Sequence, residues 1–165
     1  MRNFLIFLSL ILISFTLLSA PRIIKAGEGL NLKPEKINPG SFKYPLKRIW
    51  EKISVVLTPS GKNKVKLYEK LFETRLSELN YVTENKKLGE IEKASQRFSF
   101  YAGVLAQDAG RSDNPGKKLQ LSEKFKVYGN MLAGTRDKFE FESSYWLLIQ
   151  QNIDTLTILT NDNLK

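Results

Sequence analysis

The sequence predicts an all-α protein, in which an N-terminal hydrophobic export or anchor helix precedes an antiparallel helical bundle with a long C-terminal helix. Three observations favour this class. An uncharged apolar run opens the chain, and apolar residues recur at alternating spacings of three and four over most of the remainder. No segment shows the alternation of β-branched residues that is typical of strands. With 165 residues, 42% of them hydrophobic, the chain can build one packed core of ordinary size.

The apolar run covers residues 4–20 (FLIFLSLILISFTLLSA). Its length lies between that of a signal-peptide core and the roughly 20 residues of a full transmembrane helix. The site for a signal peptidase is poor, because Leu18 stands where a cut after Ala20 needs a small residue. We therefore expect residues 1–26 to be an uncleaved membrane anchor or a removed signal peptide, with residues 27–165 outside the cytoplasm. A buried helix of a soluble domain is the remaining alternative.

A linker is predicted over residues 27–42, which contain two prolines, three glycines and no apolar periodicity. A helical bundle domain over residues 43–160 follows it. The first helix is expected from Lys43 to Leu57, because Pro45 suits a first helical turn and the apolar residues that follow share one side.

The second and third helices are predicted over residues 62–85 and 88–109 from the same spacing. Their core positions are two residues out of step with each other, which indicates a break between Asn85 and Gly89. A strong turn, Asp113-Asn114-Pro115-Gly116, ends the third helix.

The fourth helix has the longest pattern and is predicted over residues 117–157, with a bend between Gly129 and Gly134, each of which costs up to about 1 kcal/mol in a helix. Its apolar positions keep spacings of four and three without a slip: Leu121, Phe125, Tyr128, Leu132, Thr135, Phe139, Glu142, Trp146, Ile149, Ile153 and Leu156. A helix of this length measures roughly 60 Å. Such a stripe must pack on the other helices or on a partner.

Two charged residues occupy inward positions of these stripes, Arg75 in the second helix and Glu142 in the fourth. A charge at such a position is costly unless it is paired. One hypothesis is that the two side chains meet across the bundle and set its register. The alternative is that each lies at the edge of its stripe and reaches solvent.

The basic charge is concentrated in the first half of the chain. Residues 33–70 carry ten bases and three acids, whereas residues 71–165 carry thirteen of each. Cations just after a membrane segment are attracted to anionic headgroups. The sequence therefore predicts a binding segment for anionic lipid or cell-wall polymers, formed by Lys43, Lys47, Arg48, Lys52, Lys62, Lys64 and Lys66. The alternative is a solvated face that maintains solubility. No nucleic-acid recognition motif is present, so no nucleic acid is expected as a partner.

The first helix places Trp50 on its apolar side beside Ile49 and Ile53. Tryptophan on such a side is usually core, so the favoured interpretation is that these residues close one end of the bundle. The alternative is an interfacial helix that lies among lipid headgroups, with Lys47, Arg48 and Lys52 extending from its sides to the headgroups.

Histidine and cysteine are absent from the sequence. Their absence excludes imidazole and thiolate catalysis, disulfides and the usual zinc or copper ligand sets. Phosphate-binding loops of the P-loop or Rossmann type are also absent. We therefore predict no catalytic residue, no metal and no cofactor.

The predicted role is that of a membrane-anchored interaction or scaffold domain of the bacterial envelope, which binds another helical protein or itself. Direct binding of anionic lipid or wall polymers is the alternative. A carboxylate-based hydrolase comes third, and it would need two facing carboxylates in an open cleft.

A family resemblance lies between Asn38 and Leu79. The residues that carry it are Pro39-Gly40-Ser41, then Tyr44-Pro45-Leu46-Lys47-Arg48 with Trp50-Glu51-Lys52, then Leu57-Thr58, and finally Arg75-Leu76 with Glu78-Leu79. The stretch, most specific in its YPLKR-x-WEK run, resembles a family of exported bacterial helical domains known only as a domain of unknown function. The resemblance implies an N-terminal export segment followed by a small helical bundle, and it implies no activity.

Overall fold

The computed structural model describes residues 34–164, which form helices and no strands. The helices of this part of the chain are α1 (Tyr44–Leu57), α2 (Lys62–Glu84), α3 (Leu88–Gly110), α4 (Pro115–Arg136) and α5 (Ser144–Asn163). The all-α prediction is therefore confirmed here. None of these five helices is long and apolar enough to cross a membrane. The predicted anchor or export segment, residues 1–26, lies outside the described residues.

The core lies between two helical hairpins, α2 with α3 and α4 with α5, which pack mainly through α3 against α5. Phe72 is fully buried at its centre. The Phe72 ring lies 5.0 Å from that of Phe98 and 5.5 Å from those of Phe125 and Tyr128, measured between centroids. Helix α1 stands outside this packing and contacts the bundle through a few side chains.

Local chemistry explains two of the helix boundaries, the break after α2, which was predicted, and the start of α4, which lies at Pro115 and not at the predicted residue 117. Lys86 has a φ of 50° and lies in the short break between α2 and α3. Asn114 caps α4, because its side-chain oxygen accepts hydrogen bonds from the backbone N–H groups of Gly116 at 3.0 Å and Lys117 at 3.3 Å. Pro115 occupies the first position of α4, where a missing N–H is tolerated.

The predicted continuous helix over residues 117–157 is wrong, because the chain leaves the helix over residues 137–143 and folds back. Ser143 caps α5 by accepting a hydrogen bond from the backbone N–H of Trp146 at 3.3 Å, and Glu142 has a left-handed φ of 60°. The loop is one heptad long, so the spacing of four and three passes through it unchanged. Two shorter helices bury this stripe against each other, which one long rod cannot do.

A buried polar cluster holds α5 against α3. Asn152 is fully buried, and its Nδ2 donates to Ser95 Oγ at 2.6 Å and to the Leu148 carbonyl at 2.8 Å. Ser99 Oγ donates to Asn152 Oδ1 at 2.8 Å. Because a buried amide is costly without partners, this cluster favours one register of α5 on α3.

Candidate functional site

Helix α1 contacts the bundle through its polar side. Its buried or half-buried residues are Tyr44, Lys47, Arg48, Glu51 and Val55. At about 100° per residue, these five positions fall on one face of the helix. Of these residues only Val55 is aliphatic, and it packs on the edge of the hydrophobic core.

The opposite side of α1 is apolar and exposed. It consists of Leu46, Ile49, Trp50, Ile53, Val56 and Leu57, which we call the outer face. The exposed fraction of these side chains runs from 39% at Ile53 to 79% at Val56, with Trp50 at 61%. The centre of the outer face points about 180° away from the polar side. The favoured interpretation, in which Trp50, Ile49 and Ile53 close the bundle core, is therefore wrong.

A buried ion network explains why α1 turns its polar side inward. Arg75 of α2 has a fully buried side chain, and its guanidinium is bonded to the carboxylates of Glu51 on α1 and Glu78 on α2. Tyr44 Oη donates to Glu78 Oε2 at 2.8 Å and accepts from Arg75 Nη1 at 3.2 Å. A buried charge needs such partners, and α1 supplies two of them.

Lys47 extends the network to the chain that precedes α1. Its ammonium donates to Glu78 Oε1 and to Glu35 Oε2, both at 2.8 Å, and to the Ile37 carbonyl at 3.1 Å. Thr74 Oγ1 donates to Glu35 Oε1 at 3.1 Å, which ties the same carboxylate to α2. The chain before α1, α1 itself and α2 are thus joined around the buried guanidinium of Arg75.

The electrostatics of the network favour its present protonation state. Burial by itself would lower the pKa of the Arg75 guanidinium, but the carboxylates of Glu78 and Glu51 outweigh it and raise that pKa above its usual value. Burial, together with the negative charge of Glu78, raises the pKa of the Tyr44 hydroxyl well above its ordinary value. Arg75 therefore stays charged and Tyr44 stays neutral at physiological pH.

Arg97 of α3 lies beside this network with an incomplete set of partners. Its guanidinium carbon is 5.4 Å from the centroid of the Tyr44 ring. Within residues 34–164, its buried Nε and Nη2 atoms have no hydrogen-bond partner. Burial lowers the pKa of Arg97, and the nearby Tyr44 and Glu78 only partly offset this effect. Arg97 contributes to the network through its charge and its contact with the ring.

The predicted pair of Arg75 with Glu142 is wrong, because Arg75 is bonded to Glu51 and Glu78 whereas Glu142 is exposed on the loop before α5. The expectation that Arg75 reaches solvent is wrong as well, since its side chain is fully buried. Arg75 does need a partner, as predicted, but the partners come from its own helix and from α1.

The seven basic residues proposed for polyanion binding fall into two groups. Lys47 and Arg48 are taken up by the network: Lys47 pairs with Glu35 and Glu78, and Arg48 pairs with Glu51 at 2.7 Å. The others lie at the surface, with Lys64 half-exposed and Lys43, Lys52, Lys62 and Lys66 exposed. The predicted binding segment is therefore divided, with its exposed part around α1 and the first turns of α2.

Sequence reasoning missed the network, although a signal for it was present. Tyr44, Lys47 and Glu51 recur at spacings of three and four, and Arg75 and Glu78 are three residues apart. Each set occupies one face of a helix. The network neutralises its own carboxylates, and within the described residues no cluster of carboxylates could hold a metal ion.

Comparison with known proteins places this region within one family. Residues 36–127 match a family described as a domain of unknown function (DUF5667), a range that includes α1, α2, α3 and the network except Glu35. No curated protein and no solved structure matches the chain.

Proposed function

The chain belongs to this DUF5667 family, and we propose that it is a membrane-anchored, non-catalytic interaction domain that faces outside the cytoplasm of a bacterium. The observation that carries the proposal is the outer face of α1. A single short helix there presents six large apolar side chains to solvent, although the same chain has a well-packed core. Contiguous exposed apolar surface of this kind is typical of a docking site.

The outer face is built into the fold. Because Tyr44, Lys47 and Glu51 bind Arg75 and Glu78 in the interior, α1 cannot turn its apolar side inward without breaking a buried ion network. Breaking one partner of such a network costs about 3–5 kcal/mol. The bundle therefore holds α1 as a rigid platform for a binding surface.

The apolar run at residues 4–20 supports the membrane attachment. It is uncharged, close to the length of a membrane-spanning helix, and separated from α1 by a linker rich in proline and glycine. Attachment there would keep the outer face near the bilayer.

The test is to express the full chain with a C-terminal tag in a bacterial host, to separate the membranes, and to add protease to intact spheroplasts. The chain should sediment with membranes, resist extraction by high salt, and lose its tag to the protease. A Leu10→Arg/Ile13→Arg variant should leave the membrane fraction, and a Leu10→Val/Ile13→Val variant is the matched control. A soluble cytosolic product would overturn the proposal, and a shortened soluble product outside the cell would overturn the anchor.

A second candidate function is the binding of wall polymers through the basic segment. It is favoured by the exposure of Lys43, Lys52, Lys62 and Lys66, which remain free of the ion network. Salt separates the two functions: polyanion binding by exposed lysines should weaken steeply toward physiological salt, whereas apolar docking should not.

A further inference from the structure

The outer face of α1 is bordered by cations. On the helical wheel, Lys43 lies about 20° from Trp50 at one margin, and Lys52 lies about 40° from Val56 at the other. Both lysines are exposed. Lys62 and Lys66, at the start of α2, add two further exposed cations close to α1 in the chain.

No exposed carboxylate opposes these cations within α1. Glu51 is the only acid of that helix, and its carboxylate is bonded to Arg75 and Arg48 on the inner side. The ion network thus removes the negative charge of α1 from its surface. An apolar centre remains, and the charged residues at its margin are cations.

We propose that the outer face of α1 lies on an anionic bilayer surface as an in-plane helix, an inference that rests on the proposed membrane attachment. Leu46, Ile49, Ile53 and Trp50 enter the boundary between headgroups and acyl chains, and Lys43 and Lys52 contact the anionic headgroups. Interfacial helices have this composition: aliphatic residues and tryptophan on one side, with lysines at the margin. The bundle then rests against the membrane through α1.

The cations beside the outer face also make a second copy of the chain an unfavourable partner for it. Two outer faces packed against each other would bring Lys43 and Lys52 of one copy close to the lysines of the other, with no exposed acid on α1 to pair them. Like charges at such a contact are destabilising. Anionic headgroups instead neutralise the margin.

The short segment between the apolar run and the bundle also favours the bilayer as the surface that α1 contacts. Only residues 21–34 separate the apolar run from Glu35, which Lys47 and Thr74 hold on the bundle, so the bundle lies at most about 50 Å from the attachment point. A tether of this length gives its two ends an effective concentration in about the millimolar range. A weak affinity of α1 for the bilayer is therefore sufficient to keep this helix at the membrane surface.

The chain contains two tryptophans, Trp50 and Trp146, which allows a direct test. A full-length Trp146→Phe variant is reconstituted into vesicles of phosphatidylcholine with phosphatidylglycerol, and into vesicles of phosphatidylcholine alone. Brominated acyl chains then report whether Trp50 reaches the bilayer. The matched control is Trp50→Phe, which leaves Trp146 of α5 as the reporter.

In the anionic vesicles, Trp50 emission should shift to shorter wavelength and brominated lipid should quench it about twofold, with less quenching in neutral vesicles. Trp146 should not be quenched in either. Changing Lys43 and Lys52 to Gln should weaken docking about thirtyfold, since each removes one cation near the headgroups. Both lysines are exposed, so this variant keeps the fold.

The vesicle experiment separates docking of α1 from membrane attachment of the chain. A chain that stays with the vesicles while Trp50 remains unquenched and water-exposed overturns docking of α1 and leaves the anchor intact. A Trp50 that is shielded but unquenched by brominated lipid also overturns the proposal, because a second copy or residues 4–20 then cover the outer face. A chain that does not associate with vesicles at all overturns both.

Discussion

Arg75 is the residue on which the attachment of α1 depends most directly. In an Arg75→Leu variant, Glu51 and Glu78 each lose a cation, and Glu78 has no access to solvent. Lys47 remains beside Glu78 and Arg48 remains beside Glu51, so neither carboxylate is left without a positive neighbour.

Removal of one partner from a buried ion pair costs about 3–5 kcal/mol. Because two cations remain, we expect Arg75→Leu to lower the free energy of unfolding by about 3 kcal/mol, at the lower end of that range. The matched control is Lys138→Met, which breaks a pair with Glu84 whose side chains are 51% and 45% exposed. The control should cost less than about 1 kcal/mol.

The assay is urea unfolding of the full chain in a mild non-ionic detergent, followed by helical circular dichroism. Hydrogen exchange adds a local measurement: the amides of α1 should exchange faster in Arg75→Leu, whereas those of α3 should change little. In Arg75→Leu/Glu78→Leu, a smaller loss than in Arg75→Leu alone would identify the buried Glu78 carboxylate, which lacks its guanidinium partner in the single variant, as the cause. If Arg75→Leu costs no more than Lys138→Met and exchange in α1 is unchanged, then the network does not hold α1.

Two further predictions concern other buried polar groups. Asn152→Leu leaves the Ser99 hydroxyl without its acceptor and should cost about 1–3 kcal/mol in urea unfolding; a variant as stable as the unmutated chain would show that the cluster does not set the register of α5. Tyr44 has a folded-state pKa raised above its ordinary value of 10.0, so its contribution to stability is complete below pH 10 and is lost as pH rises above it. Relative to Tyr44→Phe, the unmutated chain should therefore lose about 1.4 kcal/mol of stability at about pH 11. If the difference in the free energy of unfolding between the two proteins stays the same from about pH 8 to about pH 11, then folding does not raise the pKa of the Tyr44 hydroxyl.

The positions of most helix ends follow from the sequence, because they depend on neighbouring residues. Pro45 in a first turn is such a local signal, and α1 begins beside it at Tyr44. Asn114-Pro115 is a local start signal as well, but it was interpreted as part of a turn, and α4 begins there. The loop over residues 137–143 has a local signal too, the Ser143 cap, but one heptad of loop keeps the apolar spacing intact. Periodicity alone therefore predicted a rod where the chain folds back.

The direction that α1 faces was decided only in three dimensions. Its periodicity separates an apolar side from a side with Tyr44, Lys47 and Glu51, but it does not state which side meets the bundle. That choice depends on Arg75, which lies on another helix and is buried, because an unpaired charge in the interior costs several kcal/mol. The sequence by itself determined that α1 is an amphipathic helix that carries several cations. Tertiary structure turned its polar side inward, since only there do the buried charges of α2 find partners, and so left the apolar side exposed.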